Sequence, residues 1–112
     1  MKPALFIAML FFVGCKMENY YDLDAISNVK RNGKVLNFDV RAETLYYVPG
    51  VTREKKPDGD HLRIVRCKIG KRCAVDIAVV HAPNGDTHEI DLPADTAATL
   101  HIIGESDEIT VR

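Results

Sequence analysis

The chain has 112 residues, of which 46% are hydrophobic and 28% charged, and its formal net charge is −1 at pH 7. That length is one domain's worth, and the near balance of acidic and basic residues removes the electrostatic reason to expect a nucleic acid or an anionic membrane surface as ligand. The cysteines number three, and the odd one asks for a role of its own.

At the N-terminus Lys2 precedes ten consecutive apolar residues, Ala4 to Val13. This is the length of a signal-peptide core, and it falls short of the ~20 residues that a helix needs to cross a bilayer. The apolar run stops at Gly14 and is followed at once by Cys15. Phe12, Val13, Gly14 and Cys15 together resemble the lipobox of bacterial lipoprotein precursors, with Phe12 where that family prefers Leu. The resemblance covers about the first 15 residues. It implies that residues 1–14 are removed as a signal peptide, that Cys15 becomes the lipidated first residue, and that the net charge moves to −2 as Lys2 departs. In that family an Asp after the cysteine tends to retain the protein at the inner membrane, so Lys16 implies the outer one.

Residues 15–27 read as a tether or as a first element, either a strand or a short helix beginning at Asp22, and the sequence leaves these open. Residues 28–112 read as a β domain. Within it, Asn32-Gly33 separates two possible strands, the strongest short hairpin signal, and Leu36, Phe38 and Val40 alternate onto one face. "TLYYV", residues 44–48, is expected as a strand. Residues 49–60, "PGVTREKKPDGD", hold two prolines, two glycines and a run of charges, which predicts an exposed loop.

If Cys15 is acylated, Cys67 and Cys73 remain as a pair in "CKIGKRC". The flanking "HLRIV" and "AVDIAVV" are rich in strand formers, so an antiparallel hairpin centred on Gly70 would set residues 67 and 73 face to face. An exported chain meets an oxidising compartment, which favours a disulfide over two free thiols. Closing so small a ring is worth about 2 kcal/mol on the chain-entropy model. Basic residues cluster at Arg53, Lys55 and Lys56 and again at Arg63, Arg66, Lys68, Lys71 and Arg72; they read as solvated strand faces and loop tips.

Further along, Leu62 and Ile64 alternate against Arg63, and Val75, Ile77 and Val79 share a side. Asn84-Gly85 is a second hairpin signal, "HEIDL" and "ATLHII" read as strands, "LPADTAAT" has room for one helical turn after Pro93, and Ile109 and Val111 alternate in a last strand. Six to eight short strands with turns between them predict an all-β fold, a small antiparallel β-sandwich or barrel. A two-residue loop at Asn84-Gly85 would pair Val79 with Ile90 and set His81 opposite His88, at ~5 Å between Cβ atoms. These two imidazoles are the candidate metal ligands, although two are too few for a tight zinc or copper site.

Residues 59–90, "GDHLRIVRCKIGKRCAVDIAVVHAPNGDTHEI", are similar in rhythm to the carbon storage regulator family of small RNA-binding β proteins, whose strands also run toward an Ala-Pro followed by His and Glu-Ile. That family's first strand and its arginines have no counterpart here, and the resemblance implies a shared strand-turn-strand pattern alone. No nucleic-acid partner is expected.

The sequence holds no G-x-S-x-G, no H-E-x-x-H and no glycine-rich phosphate loop, so neither enzymatic activity nor a cofactor is expected. The leading expectation is a lipid-anchored binding or accessory module at the periplasmic face of the outer membrane. It would be held to the membrane by acyl chains and engage another envelope protein, with no small-molecule ligand. Two further readings remain: a receptor-blocking or exclusion lipoprotein of phage or plasmid type, and a periplasmic metal-binding protein using His81 and His88.

Overall fold

A computed structural model describes residues 19–84 and 87–112. The protein is all-β, as its short alternating segments predict. A 3-10 turn, Leu23–Ala25, precedes ten strands: β1 (Ile26–Asn32), β2 (Val35–Val40), β3 (Tyr46–Tyr47), β4 (Gly50–Lys56), β5 (Gly59–Ile64), β6 (Cys67–Lys68), β7 (Ile77–Asn84), β8 (Thr87–Asp91), β9 (Leu100–Ile103) and β10 (Glu108–Val111). Eight of them form one sheet in the order β1-β2-β8-β7-β4-β5-β9-β10, and β3 and β6 pair outside it as a two-stranded arm. The two edges of the large sheet, β1 and β10, approach each other, so the sheet is nearly closed on itself.

Period-two alternation builds the interior. Leu36, Phe38 and Val40 of β2, Leu62 and Ile64 of β5, and Ile90 of β8 turn inward and are buried, while their neighbours face out. Val51, Ile77, Leu92, Leu100 and Ile102 complete the cluster, with Ile109 and Val111 packed against its margin. Both Asn-Gly signals mark hairpins, each one residue later than expected. Asn32 pairs with Val35, so Gly33 and Lys34 make the turn, and Asn84 pairs with Thr87. Gly33 has φ +62° and Lys34 does not share the positive sign, the requirement of a type II′ turn, where glycine comes first.

Three segments depart from the sequence reading. Residues 49–60 are no loop: they form β4 and the start of β5, joined by a two-residue turn at Pro57 and Asp58, with Lys56 opposite Gly59. Apart from the buried Asp60, the charges that suggested a loop sit on the outer side and at the turn, where Glu54 to Asp58 are exposed. Gly59 is obligatory there, because its φ is +135° and a Cβ would lie 2.4 Å from the Thr99 carbonyl oxygen. The strand expected from Ala74 begins at Ile77, since the Asp76 carboxylate accepts the Arg53 N–H at 2.7 Å that a ladder residue would have taken. The segment after Pro93 makes a single turn, Thr96 N–H to Pro93 carbonyl at 3.0 Å, and no helix.

One pairing is parallel, β5 with β9, and it makes the sheet mixed where an antiparallel one was expected. The connection into β9 is fastened by charge. Asp60 is buried at 2% exposure and accepts the Ala97 N–H at 3.2 Å. Arg53 and Lys55 lie 3.8 and 3.7 Å from its carboxylate and also reach Asp95. From the other side Arg31 donates to the carbonyls of Ala97 and Ala98.

Of the segment left open between tether, strand and helix, Asn19 to Ala25 packs on the barrel. The Arg66 N–H donates to the Asn19 carbonyl, Tyr20 bridges Val65, and the Tyr21 N–H donates to the Ile64 carbonyl. Asp22 caps the 3-10 turn through the Leu23 N–H and also accepts the Glu105 N–H, both at 2.9 Å; the Glu105 bond first, then that from Leu23, holds its carboxyl below the usual range.

Candidate functional site

The Cys67–Cys73 disulfide is formed, with the Cα atoms 6.0 Å apart. The hairpin expected to carry it is absent. Instead Cys67 and Lys68 form β6 and pair with Tyr47 and Tyr46 of β3, while the chain turns at Gly70, whose φ is +90°, and returns irregularly. Within the ring the Lys71 N–H donates to the Lys68 carbonyl at 3.0 Å, and the Tyr47 hydroxyl donates to the Lys71 carbonyl at 3.2 Å. The Ile69 N–H bonds to the Leu45 carbonyl at 2.9 Å, which carries the β3–β6 register one step further.

That register sorts the arm's side chains. Leu45, Tyr47 and Ile69 share one face with the buried Cys67, and Tyr46 and Lys68 share the other. Leu45 is 59% exposed, Ile69 58% and Tyr47 40%, so three large apolar groups stand together in water. On the opposite face Tyr46 is fixed beneath Arg66, whose guanidinium carbon is 3.6 Å from the ring centroid. Arg66 forks onto Glu43, Nε to Oε1 at 2.9 Å and Nη2 to Oε2 at 2.8 Å. This bond holds the Glu43 carboxyl low and the guanidinium pKa high. Arg66, Lys68, Lys71 and Arg72, with Asn19, Tyr46 and Cys73, line an open cleft of about 540 Å³. An apolar face on one side of the arm and a cationic cleft on the other can seat a protein surface that wraps the arm, its apolar anchors on the first and its carboxylates in the second.

Cys15 lies outside the described residues. The expected opposition of His81 and His88 does not occur. Val79 pairs with Ile90 as predicted, but the register then slips, and His81 faces Glu89. A bulge adds a residue to one strand and so moves every partner beyond it by one. His88 instead neighbours Phe38 across β2 and β8, their rings stacked at 5.7 Å.

A different pair of histidines is brought together. The parallel register of β5 and β9 sets His61 beside His101, ring centroids 5.1 Å apart. Asp58, in the turn before β5, places Oδ1 at 2.9 Å from His61 Nε2 and Oδ2 at 3.6 Å from His101 Nε2. On the far side of the His101 ring, Nδ1 meets the Glu108 carboxylate, with the Thr110 hydroxyl at 3.3 Å. The bond of His101 Nε2 to the Asp58 carbonyl at 3.1 Å, and then Glu108, raise the pKa of this imidazole. Sequence reasoning missed this cluster. Asp58 and His61 are near neighbours in the chain, but His101 arrives only through the crossover into β9, for which the sequence carries no local sign. No family model, curated protein or solved structure matches the chain.

Proposed function

We propose that the protein is an exported, lipid-anchored binding module of the bacterial envelope, moored through Cys15 at the periplasmic face of the outer membrane, which engages a protein partner through the β3–β6 arm. The observation that carries this reading is the exposed apolar face of Leu45, Tyr47 and Ile69, pinned by the Cys67–Cys73 bridge, on an arm whose other side carries the basic cleft of Lys68, Lys71 and Arg72. Large apolar side chains left in water cost stability unless something covers them, and a stapled arm binds without first having to be ordered. The disulfide fits an oxidising compartment such as the periplasm.

The partner's contact patch would be apolar at its centre and acidic at its rim. Cross-linking and recovery of the intact lipoprotein from its own membranes tests this, with a Leu45→Asp, Ile69→Asp double variant beside the wild type. The wild type should recover a discrete envelope protein that the double variant loses while keeping its melting temperature; recovery of the same protein by both overturns the assignment of the arm. Replacing Cys15 with Ala should abolish incorporation of labelled palmitate, and incorporation that persists overturns the anchor.

A second reading is favoured by the short distance between Cys15 and Asn19. Four residues span at most ~14 Å, and Asn19 lines the basic cleft, so a lipid on Cys15 would bring the arm to headgroup level. In that case the Cys15→Ala protein should float with anionic vesicles, and the Cys15→Ala protein that also carries Leu45→Asp and Ile69→Asp should not.

A further inference from the structure

We infer that Asp58, His61 and His101 form a binding site for one divalent cation of the zinc class, apart from the arm and independent of the protein partner. One ligand atom from each of the three lies within 4.8 Å of the other two. Two imidazole nitrogens and a carboxylate oxygen are donors that suit zinc and its neighbours in the transition series, and imidazole argues against calcium or magnesium, which take oxygen. In a tetrahedral shell with bonds of ~2.0–2.2 Å, donor atoms stand roughly 3.3 Å apart. The cluster must therefore contract by on the order of 1 Å. The side chains that would move are free to do so: Asp58 is 59% exposed in a turn and His61 21%, whereas His101, at 10%, is the fixed member.

Glu108 gives independent support. Its carboxylate meets His101 Nδ1 and so leaves Nε2 on the Asp58 side, 3.1 Å from the Asp58 carbonyl and 3.6 Å from its carboxylate, where a bound ion would replace the bond to the carbonyl. Metal-bound histidines are held in this way, with the ring nitrogen away from the metal donating to a carboxylate. Gly59 contributes by its missing side chain, because a Cβ there would crowd the His101 ring at 3.4 Å and collide with Thr99. Three protein donors leave a fourth position for water.

The test is calorimetric titration of the full chain in detergent with Zn2+, repeated with Co2+, whose visible spectrum reports tetrahedral nitrogen and oxygen ligands. One ion per chain should bind. His61→Ala and Asp58→Asn each remove a ligand and should weaken binding by more than about 100-fold, whereas Glu108→Ala removes only the group that orients His101 and should cost about 10- to 100-fold with the stoichiometry unchanged. His81→Ala should leave the affinity within twofold. Circular dichroism and melting of each variant separate loss of ligand from loss of fold, and because His61 and Asp58 are outside the core their variants should keep both. Absence of saturable Zn2+ uptake by the wild type, or uptake that survives His61→Ala and Asp58→Asn in folded protein, overturns the site.

Discussion

Replacing Asp60 with Ala is expected to destabilise the protein by about 3 kcal/mol. The carboxylate is 2% exposed and accepts the Ala97 N–H, so its removal strands a half-buried donor, for which ~1–3 kcal/mol is the range of a fully buried one. Arg53, itself only 20% exposed, and Lys55 lose a shared counter-charge. They keep Asp95, at 3.0 and 3.6 Å, so the ~3–5 kcal/mol of a buried pair broken outright is an upper limit. For a domain of 60–100 residues, 3 kcal/mol corresponds to a fall in Tm of roughly 12–24 °C. Asp60→Asn keeps an acceptor for Ala97 and loses only charge, and should cost about half as much. Asp95→Ala, at a site 62% exposed, should cost less than about 1 kcal/mol. Urea denaturation followed by circular dichroism measures all three. An Asp60→Ala protein within about 1 kcal/mol of wild type would refute the view that this carboxylate fastens the connection into β9.

Two further outcomes follow from the geometry. Converting both Cys67 and Cys73 to Ala opens a ring spanning six residues and should cost about 2 kcal/mol; hydrogen exchange should quicken at Ile69 and Lys71 while the amide of Phe38 stays protected, and uniform quickening across the sheet would show that the arm is no separate unit. Burial, and after it the Glu43 carboxylate, raises the Tyr21 pKa from 10 to about 12. The unfolded chain thus ionises first. The resulting stability is complete below pH 10 and is lost as pH rises through about 12, so wild type should lose ground to Tyr21→Phe in denaturation series run across that window, and parallel curves would place Tyr21 in solvent.

What was legible in the sequence was local. Leu36-Phe38-Val40 and Leu62-Ile64 disclosed their strands because one face of each is buried, and alternation records burial directly. Both Asn-Gly pairs disclosed a hairpin, though not its register: Asn32 and Asn84 each end a strand, paired with Val35 and Thr87. Charge in residues 49–60 is a poor sign of loop, because Arg53 and Lys55 are neutralised across the hairpin by Asp60 and from a distant part of the chain by Asp95. The same limit governs the sites. The Cys67–Cys73 bridge is short-range; its spacing alone is a weak sign, and it is legible only once Cys15 is set aside and an oxidising compartment is assumed. His81 and His88 were paired on an ideal ladder that a bulge displaces, while His61 and His101 meet only through a parallel register that no neighbouring residue announces.

That parallel register also orders events in time. As the polypeptide emerges, the β4–β5 hairpin has every residue it needs, yet the outer margin of β5 stays bare until Leu100, His101 and Ile102 arrive some forty positions later. Closure thus waits for β9, and contacts so distant along the chain are slow to find one another. A ribosome-bound or prematurely terminated fragment would present that naked edge to its neighbours and be prone to stick to them.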